Sequence, residues 1–169
     1  VARGVELVGV PWRSRHPRRD LVAEACAALE PAADTLRVCA AHGALDQLSP
    51  DVDEPGLVAR AGLDELLARG CLHYVALGDR HSVTEVGPRI WYSGTPEPTR
   101  FTEVDPGHCL VVELSRDACA VQRHRTGRWR FLELSFELSG AADVAALQRR
   151  LEAIEDKELT IVRLSLRGS

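Results

Sequence analysis

Apolar positions follow two different rhythms along the chain. The run Gly4 to Val10 (GVELVGV) is apolar and β-branched, is closed by Pro11, and predicts a strand. Asp20 is placed to cap a helix through about Leu29, with Leu21, Val22, Ala25 and Leu29 at helical spacing and Pro31 as a stop. Thr35 to Ala41 (TLRVCAA) predicts a second strand, followed by His42-Gly43. A loop rich in Asp, Pro and Gly runs to Gly56, and Leu57 to Arg69 predicts a helix that ends at Gly70. Cys71 to Leu77 (CLHYVAL) predicts a third strand, followed by Gly78-Asp79-Arg80-His81. Alternating strands and helices of this kind predict an α/β fold with a helix-covered sheet. Further along, the helices drop out. Arg89 to Tyr92, His108 to Leu114, Cys119 to Arg125 and Trp129 to Leu138 predict successive strands in an antiparallel layer. A helix over Ala141 to Ile154, apolar at Val144, Leu147, Leu151 and Ile154, and a strand over Leu159 to Leu166 complete the pattern. A boundary near Ser115-Arg116-Asp117 divides the chain into residues 1–117 and 118–169.

Composition narrows the class. The 169 residues are 45% hydrophobic and 27% charged, which suits one soluble globular domain with a small appendage. The net charge of -4 argues against a polybasic nucleic-acid binder and leaves room for local basic patches. No apolar run reaches the ~18 residues of a membrane span, and no charged-then-apolar leader opens the sequence. The five cysteines (Cys26, Cys39, Cys71, Cys109, Cys119) are odd in number and lack C-x-x-C spacing, which predicts reduced thiols in a cytoplasmic protein. The chain has no Met, no Asn and a single Lys, Lys157, among its 21 Lys and Arg. That bias reads as GC-rich coding, so the arginine excess is no binding signal, and the missing Met predicts a piece of a longer protein.

Candidate chemistry gathers where strands end, because open α/β sheets place functional groups beyond the carboxyl ends of their strands. One such end carries His42, and another carries Asp79 and His81. Residues two apart in extended backbone project alike, which predicts Asp79 and His81 on one site with Arg80 turned elsewhere. Imidazole with carboxylate suits Mn, Fe or Zn better than Ca. His16, His73, His108 and His124 have no comparable context and are read as structural. The loop between the first strand and helix carries Arg13, Arg15, Arg18 and Arg19.

The run His73 to Phe101 (HYVALGDRHSVTEVGPRIWYSGTPEPTRF) resembles the SbcD-type double-strand-break repair exonucleases of the calcineurin-like metallophosphoesterase superfamily. Those proteins carry an apolar strand, then Gly-His-x-His, then a strand ending in Tyr-x-Gly-Ser-Pro-Glu-Pro. Here the counterparts are Gly78-Asp79-Arg80-His81 and Tyr92-Ser93-Gly94-Thr95-Pro96-Glu97-Pro98. Val38 to Gly43 is similar to the strand-then-His element upstream, Val8 to Trp12 to the strand before it, and Phe131 to Gly168 to a small capping domain. Asp79 stands where the pattern has its first His. The earlier Asp-x-His, Gly-Asp-x-x-Asp and Gly-Asn-His elements are absent, the last necessarily in a chain without Asn.

The resemblance implies the carboxyl-terminal half of a metallophosphoesterase α/β/β/α sandwich, over residues 1–117, with an incomplete α+β capping domain over 118–169. It implies a two-metal Mn²⁺ phosphodiesterase acting on DNA, with His42, Asp79 and His81 as metal ligands and the remaining ligands outside this chain. It also implies an SMC-like ATPase subunit as partner in the full protein, and admits a homodimer. Arg13, Arg15, Arg18 and Arg19 are then candidates for contact with DNA phosphates. Two alternatives stay open: a non-catalytic cap and partner-docking fragment, and a metallophosphoesterase acting on a small phosphoester.

Overall fold

The computed structural model describes residues 4–12, 14, 16–51 and 53–168. In chain order the elements are β1 (Val5–Val10), α1 (Leu21–Cys26), β2 (Leu36–His42), α2 (Arg60–Ala68), β3 (Tyr74–Gly78), β4 (Thr84–Gly87), β5 (Ile90–Tyr92), β6 (His108–Leu114), β7 (Cys119–Arg125), β8 (Arg130–Leu138), α3 (Ala141–Glu152) and β9 (Thr160–Gly168). The chain is mixed α/β. Its main sheet has the order β1-β2-β3-β5-β4, in which β1, β2, β3 and β5 run parallel and β4 is an antiparallel edge.

Each face of this sheet has its own cover. Val22 and Cys26 of α1 and Leu63 of α2 are buried against Cys39, Val75, Leu77, Ile90 and Tyr92. Full burial of such side chains contributes roughly 1.5–3 kcal/mol each. On the opposite face, Tyr74, Val83 and Trp91 are covered by Leu110, Val112, Leu114, Cys119 and Val121 of the β6–β7 hairpin. That hairpin stops short of β1. Leu7, which alternates away from the helices, is therefore 55% exposed, and Gly9 beside it is open as well. Three of the cysteines, Cys26, Cys39 and Cys71, are buried thiols, whereas Cys109 is exposed.

Four expectations change on contact with the structure. Leu57 to Ala59 does not join α2, because Val58 donates to Ala44 O at 2.9 Å and accepts from Asp46 N at 3.1 Å, which holds this segment as an extended bridge. Cys71 and Leu72 do not begin β3, because their N–H groups close the end of α2 on Leu66 O. The four predicted antiparallel strands do not form one layer. Ile90–Tyr92 joins the parallel sheet, β6 pairs with β7, and β8 pairs in parallel with β9 across α3. The expected boundary at Ser115-Arg116-Asp117 falls in the β6–β7 turn, where the Arg89 guanidinium donates to Ser115 O and Arg116 O. The break in packing comes after Arg125, where the β8-α3-β9 unit begins. No helix among the described residues is long and apolar enough to cross a membrane.

Asp20 links the two helices of the covering layer. Its Oδ1 accepts from Val22 N and Ala23 N, both at 2.9 Å, and its Oδ2 accepts from Ala59 N at 2.8 Å, just before α2. Asp20→Ala is expected to cost about 1–2 kcal/mol of stability in urea unfolding, the range of a lost helix cap. Asp20→Asn, which keeps a cap acceptor and loses only the bond to Ala59, is expected to cost less.

Candidate functional site

The parallel register brings three strand ends side by side. Pro11-Trp12 follows β1, His42 ends β2, and Asp79 follows β3. The β2–β3 ladder continues one step past His42, with Gly43 N donating to Gly78 O at 3.2 Å. The buried Tyr92 hydroxyl donates to Gly43 O at 2.8 Å and pins the turn from below. The His42 ring lies between Trp12, whose ring centroid is 4.8 Å away, and Gly78. A Cβ at position 78 would stand 2.8 Å from His42 Nδ1, so the ring requires glycine there.

This placement leaves His42 Nε2 at 3.7 Å from Asp79 Oδ1, with the two side chains 43% and 34% exposed. The gap is too long for a hydrogen bond, so the donor atoms of both groups stay accessible to a cation. Asp79 holds φ at +110°, a conformation that L residues rarely adopt and that recurs where function demands it.

The same backbone turn separates His81 from that pair. β3 ends at Gly78, and the positive φ of Asp79 breaks the extended geometry that would have made residues 79 and 81 project alike. His81 Nδ1 lies 2.8 Å from Glu103 Oε1 and 2.7 Å from Thr99 Oγ1. Asp79, His81, Arg100 and Glu103 nevertheless line one open polar hollow, and the Arg80 side chain at its edge donates from Nε to Thr84 Oγ1 at 3.3 Å. Among the described residues, no three His, Cys, Asp or Glu side chains come together as a metal-binding group. The predicted trio is thus a close pair, His42 with Asp79, and a separate His81.

Glu103 had no signal in the sequence. It sits in an irregular loop, and only the fold brings it under His81. Its side chain is 5% exposed. Burial alone would raise its carboxyl. Hydrogen bonds from the Thr99 hydroxyl, the Thr99 N–H, the His81 ring and the Arg100 N–H outweigh burial and hold it at about 2.

The segment that includes Thr99 and Glu103 also joins the carboxyl-terminal unit. Thr95 donates through N and Oγ1 to His81 O, Glu97 Oε2 accepts from Arg128 N and Trp129 N, and Phe101 packs edge-on against Phe131.

The arginine cluster divides. Arg18 is exposed, and Arg19 pairs with Glu24 at 3.0 Å beside Val10 and Pro11 at the end of β1. Arg13 and Arg15 lie outside the described residues. Of the histidines read as structural, His73 is buried, and its Nδ1 accepts from Arg37 N at 3.0 Å. No protein-family model and no curated protein matches the chain.

Burial pushes the Tyr92 hydroxyl up to about 12, whereas the unfolded chain releases this proton near about 10. The folded state keeps the proton that the unfolded state loses, so stability falls as pH rises through that window. Burial raises the Tyr74 hydroxyl too, so both tyrosines contribute. Tyr92→Phe is expected to lose about 1–3 kcal/mol at neutral pH, because Gly43 O loses its buried donor. It should then lose less than the wild type does on going to alkaline pH. Urea unfolding at neutral and alkaline pH measures both effects.

Proposed function

We propose that the chain is part of a metal-dependent DNA phosphodiesterase, an exonuclease of the SbcD-type branch of the calcineurin-like metallophosphoesterases. The observation that carries this reading is the meeting of His42 and Asp79, 3.7 Å apart at the ends of adjacent parallel strands, with Asp79 at φ +110°. An imidazole and a carboxylate in that relation are the donor types expected for Mn²⁺. The sheet order and the hairpin-bearing second face are compatible with one side of a larger sandwich, and the open strip at Leu7 and Gly9 gives a second layer somewhere to pack.

When bound, a divalent metal activates water and neutralises charge on the scissile phosphate. This chain's residues would hold it in part. His42 and Asp79 would supply one nitrogen and one carboxylate, and His81 would supply a second imidazole at the hollow it lines with Asp79. The remaining ligands, a bridging carboxylate among them, come from sequence outside this chain. The exposed Arg18, and Arg19, which lies beside the end of β1 and pairs with Glu24, are the described members of the cluster for phosphate contact, which disregards base sequence and weakens with salt. An SMC-like ATPase subunit is the partner expected on this reading.

One observation favours a second reading, a partner-docking fragment without chemistry of its own. None of the described residues of the β8-α3-β9 unit is buried, and Val144, Ile161 and Leu166 are 55%, 41% and 50% exposed.

Degradation of linear duplex DNA in Mn²⁺ separates the two readings. The 169-residue chain is expected to be inactive or nearly so, and a longer chain with the missing ligands active. In that longer chain, His42→Ala, Asp79→Ala and His81→Ala should each lower the rate by more than the roughly 10–100-fold that accompanies loss of a ligand's supporting partner. Asp79→His should keep metal binding and move preference toward Zn²⁺, measured by calorimetry. Unchanged degradation in all three alanine variants would sink the nuclease reading.

A further inference from the structure

Beneath His81 lies a carboxylate that the proposed chemistry leaves unused. Glu103 is the least exposed of the acidic groups around the hollow, on a loop where a carboxylate could have remained in water. Burying a charge is costly unless it is fully hydrogen-bonded, and here it is. Oε2 accepts from Thr99 N at 2.8 Å, and Oε1 accepts from the Thr99 hydroxyl. Oε1 also faces His81 Nδ1 at 2.8 Å.

This arrangement fixes where the His81 proton sits. An ionised carboxylate only accepts hydrogen bonds. The Thr99 hydroxyl spends its proton on Glu103, so at 2.7 Å from Nδ1 it too can only accept. Both neighbours of Nδ1 therefore demand a donor, and Nδ1 carries the hydrogen. In the neutral ring, Nε2 then keeps its lone pair.

We propose that Glu103, with Thr99, is a positioning residue that holds His81 in the Nδ1–H tautomer and fixes its ring, so that Nε2 is presented to the hollow as a metal donor. The proposal rests on His81 being a ligand. It adds a residue outside the ligand set that makes His81 competent. A carboxylate behind a ligating imidazole fixes its tautomer and raises its basicity. Glu97 and Phe101, which hold the carboxyl-terminal unit, lie on the same stretch of chain as Thr99 and Glu103, so that stretch serves the site and the unit together.

Glu103→Gln tests this with almost no change of shape. Thr99 N–H requires an oxygen at the Oε2 position, so the new amide must turn its NH₂ toward His81 Nδ1. A donor there converts Nδ1 to an acceptor and sends the ring proton to Nε2. The measurement is the long-range ¹H–¹⁵N spectrum of the imidazoles in the labelled 169-residue chain at about pH 8, where an ordinary His is neutral. The wild type is expected to show His81 protonated on Nδ1, and Glu103→Gln to show it protonated on Nε2, with backbone amides away from the loop unmoved. Zn²⁺, used alone as the probe, should shift the His81 Nε2 signal in the wild type and require roughly 10–100-fold more metal to do so in Glu103→Gln.

A wild-type His81 protonated on Nε2, or a tautomer unchanged in Glu103→Gln, overturns the proposal. So does a Zn²⁺ response at His81 that is present in the wild type and undiminished in Glu103→Gln. Loss of the tautomer change and loss of the metal reading are distinguishable. If Zn²⁺ moves neither His42 nor His81 in the wild type while the tautomer still inverts in the variant, it is the ligand reading that fails. Thr99→Val provides a second arm should Glu103→Gln unfold. It removes the hydroxyl and leaves the carboxylate, so His81 should stay protonated on Nδ1, and a proton on Nε2 in that variant overturns the proposal.

Discussion

The contact between the His42 ring and Gly78 governs the rest of the site. A ring that rests on backbone, with a Cβ excluded at 2.8 Å, can be held only if the two strands beneath it keep one register. Three features enforce that register. The buried strand residues Cys39, Val75 and Leu77 lock β2 and β3 to the helices, and Gly43 N extends the ladder to Gly78 O. The Tyr92 hydroxyl ties the β2 turn to β5. With the ring set and the ladder used up, the chain must leave β3 sharply. Asp79 takes that turn at positive φ, which brings its carboxylate back toward His42 and sends His81 to another neighbour. Core packing, register and the splitting of the predicted ligand trio are thus successive results of one close approach.

Much of this was legible in the chain, and the limits come from what periodicity can encode. The runs around Leu36–His42 and Tyr74–Gly78 are apolar because they are interior strands of a parallel sheet, whereas Val5–Val10 reads as a strand although Leu7 and Gly9 on its outer face are exposed. β6 and β7 alternate because one face meets Tyr74 and Trp91 while the other meets water. The pairing of β8 was not legible. Its alternation suits an antiparallel neighbour as well as the parallel one it finds across α3, and only the crossover decides. β4 was missed because four residues, TEVG, are too few to show a period. Of the site, His42 and Asp79 could be seen as strand-end residues, whereas Trp12, Tyr92 and Glu103 act through contacts made by distant parts of the chain. The expectation that Asp79 and His81 share an orientation assumed extended backbone through residue 79, and the φ of +110° removes that assumption.

The loop from Gly94 to Glu103, only whose first half, Gly94 to Pro98, belongs to the motif that carries the resemblance, has three duties. It turns at Gly94, whose φ of +73° and closeness to His81 O suit no other residue. It supplies Thr99 and Glu103 to His81, and it supplies Glu97 and Phe101 to the carboxyl-terminal unit. Thr95, Glu97, Thr99, Phe101 and Glu103 each meet a specific polar atom or ring, and none of the five belongs to a buried cluster.

The β8-α3-β9 unit is fastened to the rest by short-range contacts of this loop: Glu97 on two backbone N–H groups, Thr126 on Pro96 O, and Phe101 between the edge of Phe131 and the Arg163 guanidinium at 4.0 Å. None of the unit's described residues shares either buried cluster of the main sheet. Cooperativity spreads through shared burial, so the chain contains two foldons of unequal stability. Amide exchange in α3 and β9 then reports the opening of a small ribbon, amide exchange in β2 and β3 reports global unfolding, and a single melting temperature describes neither.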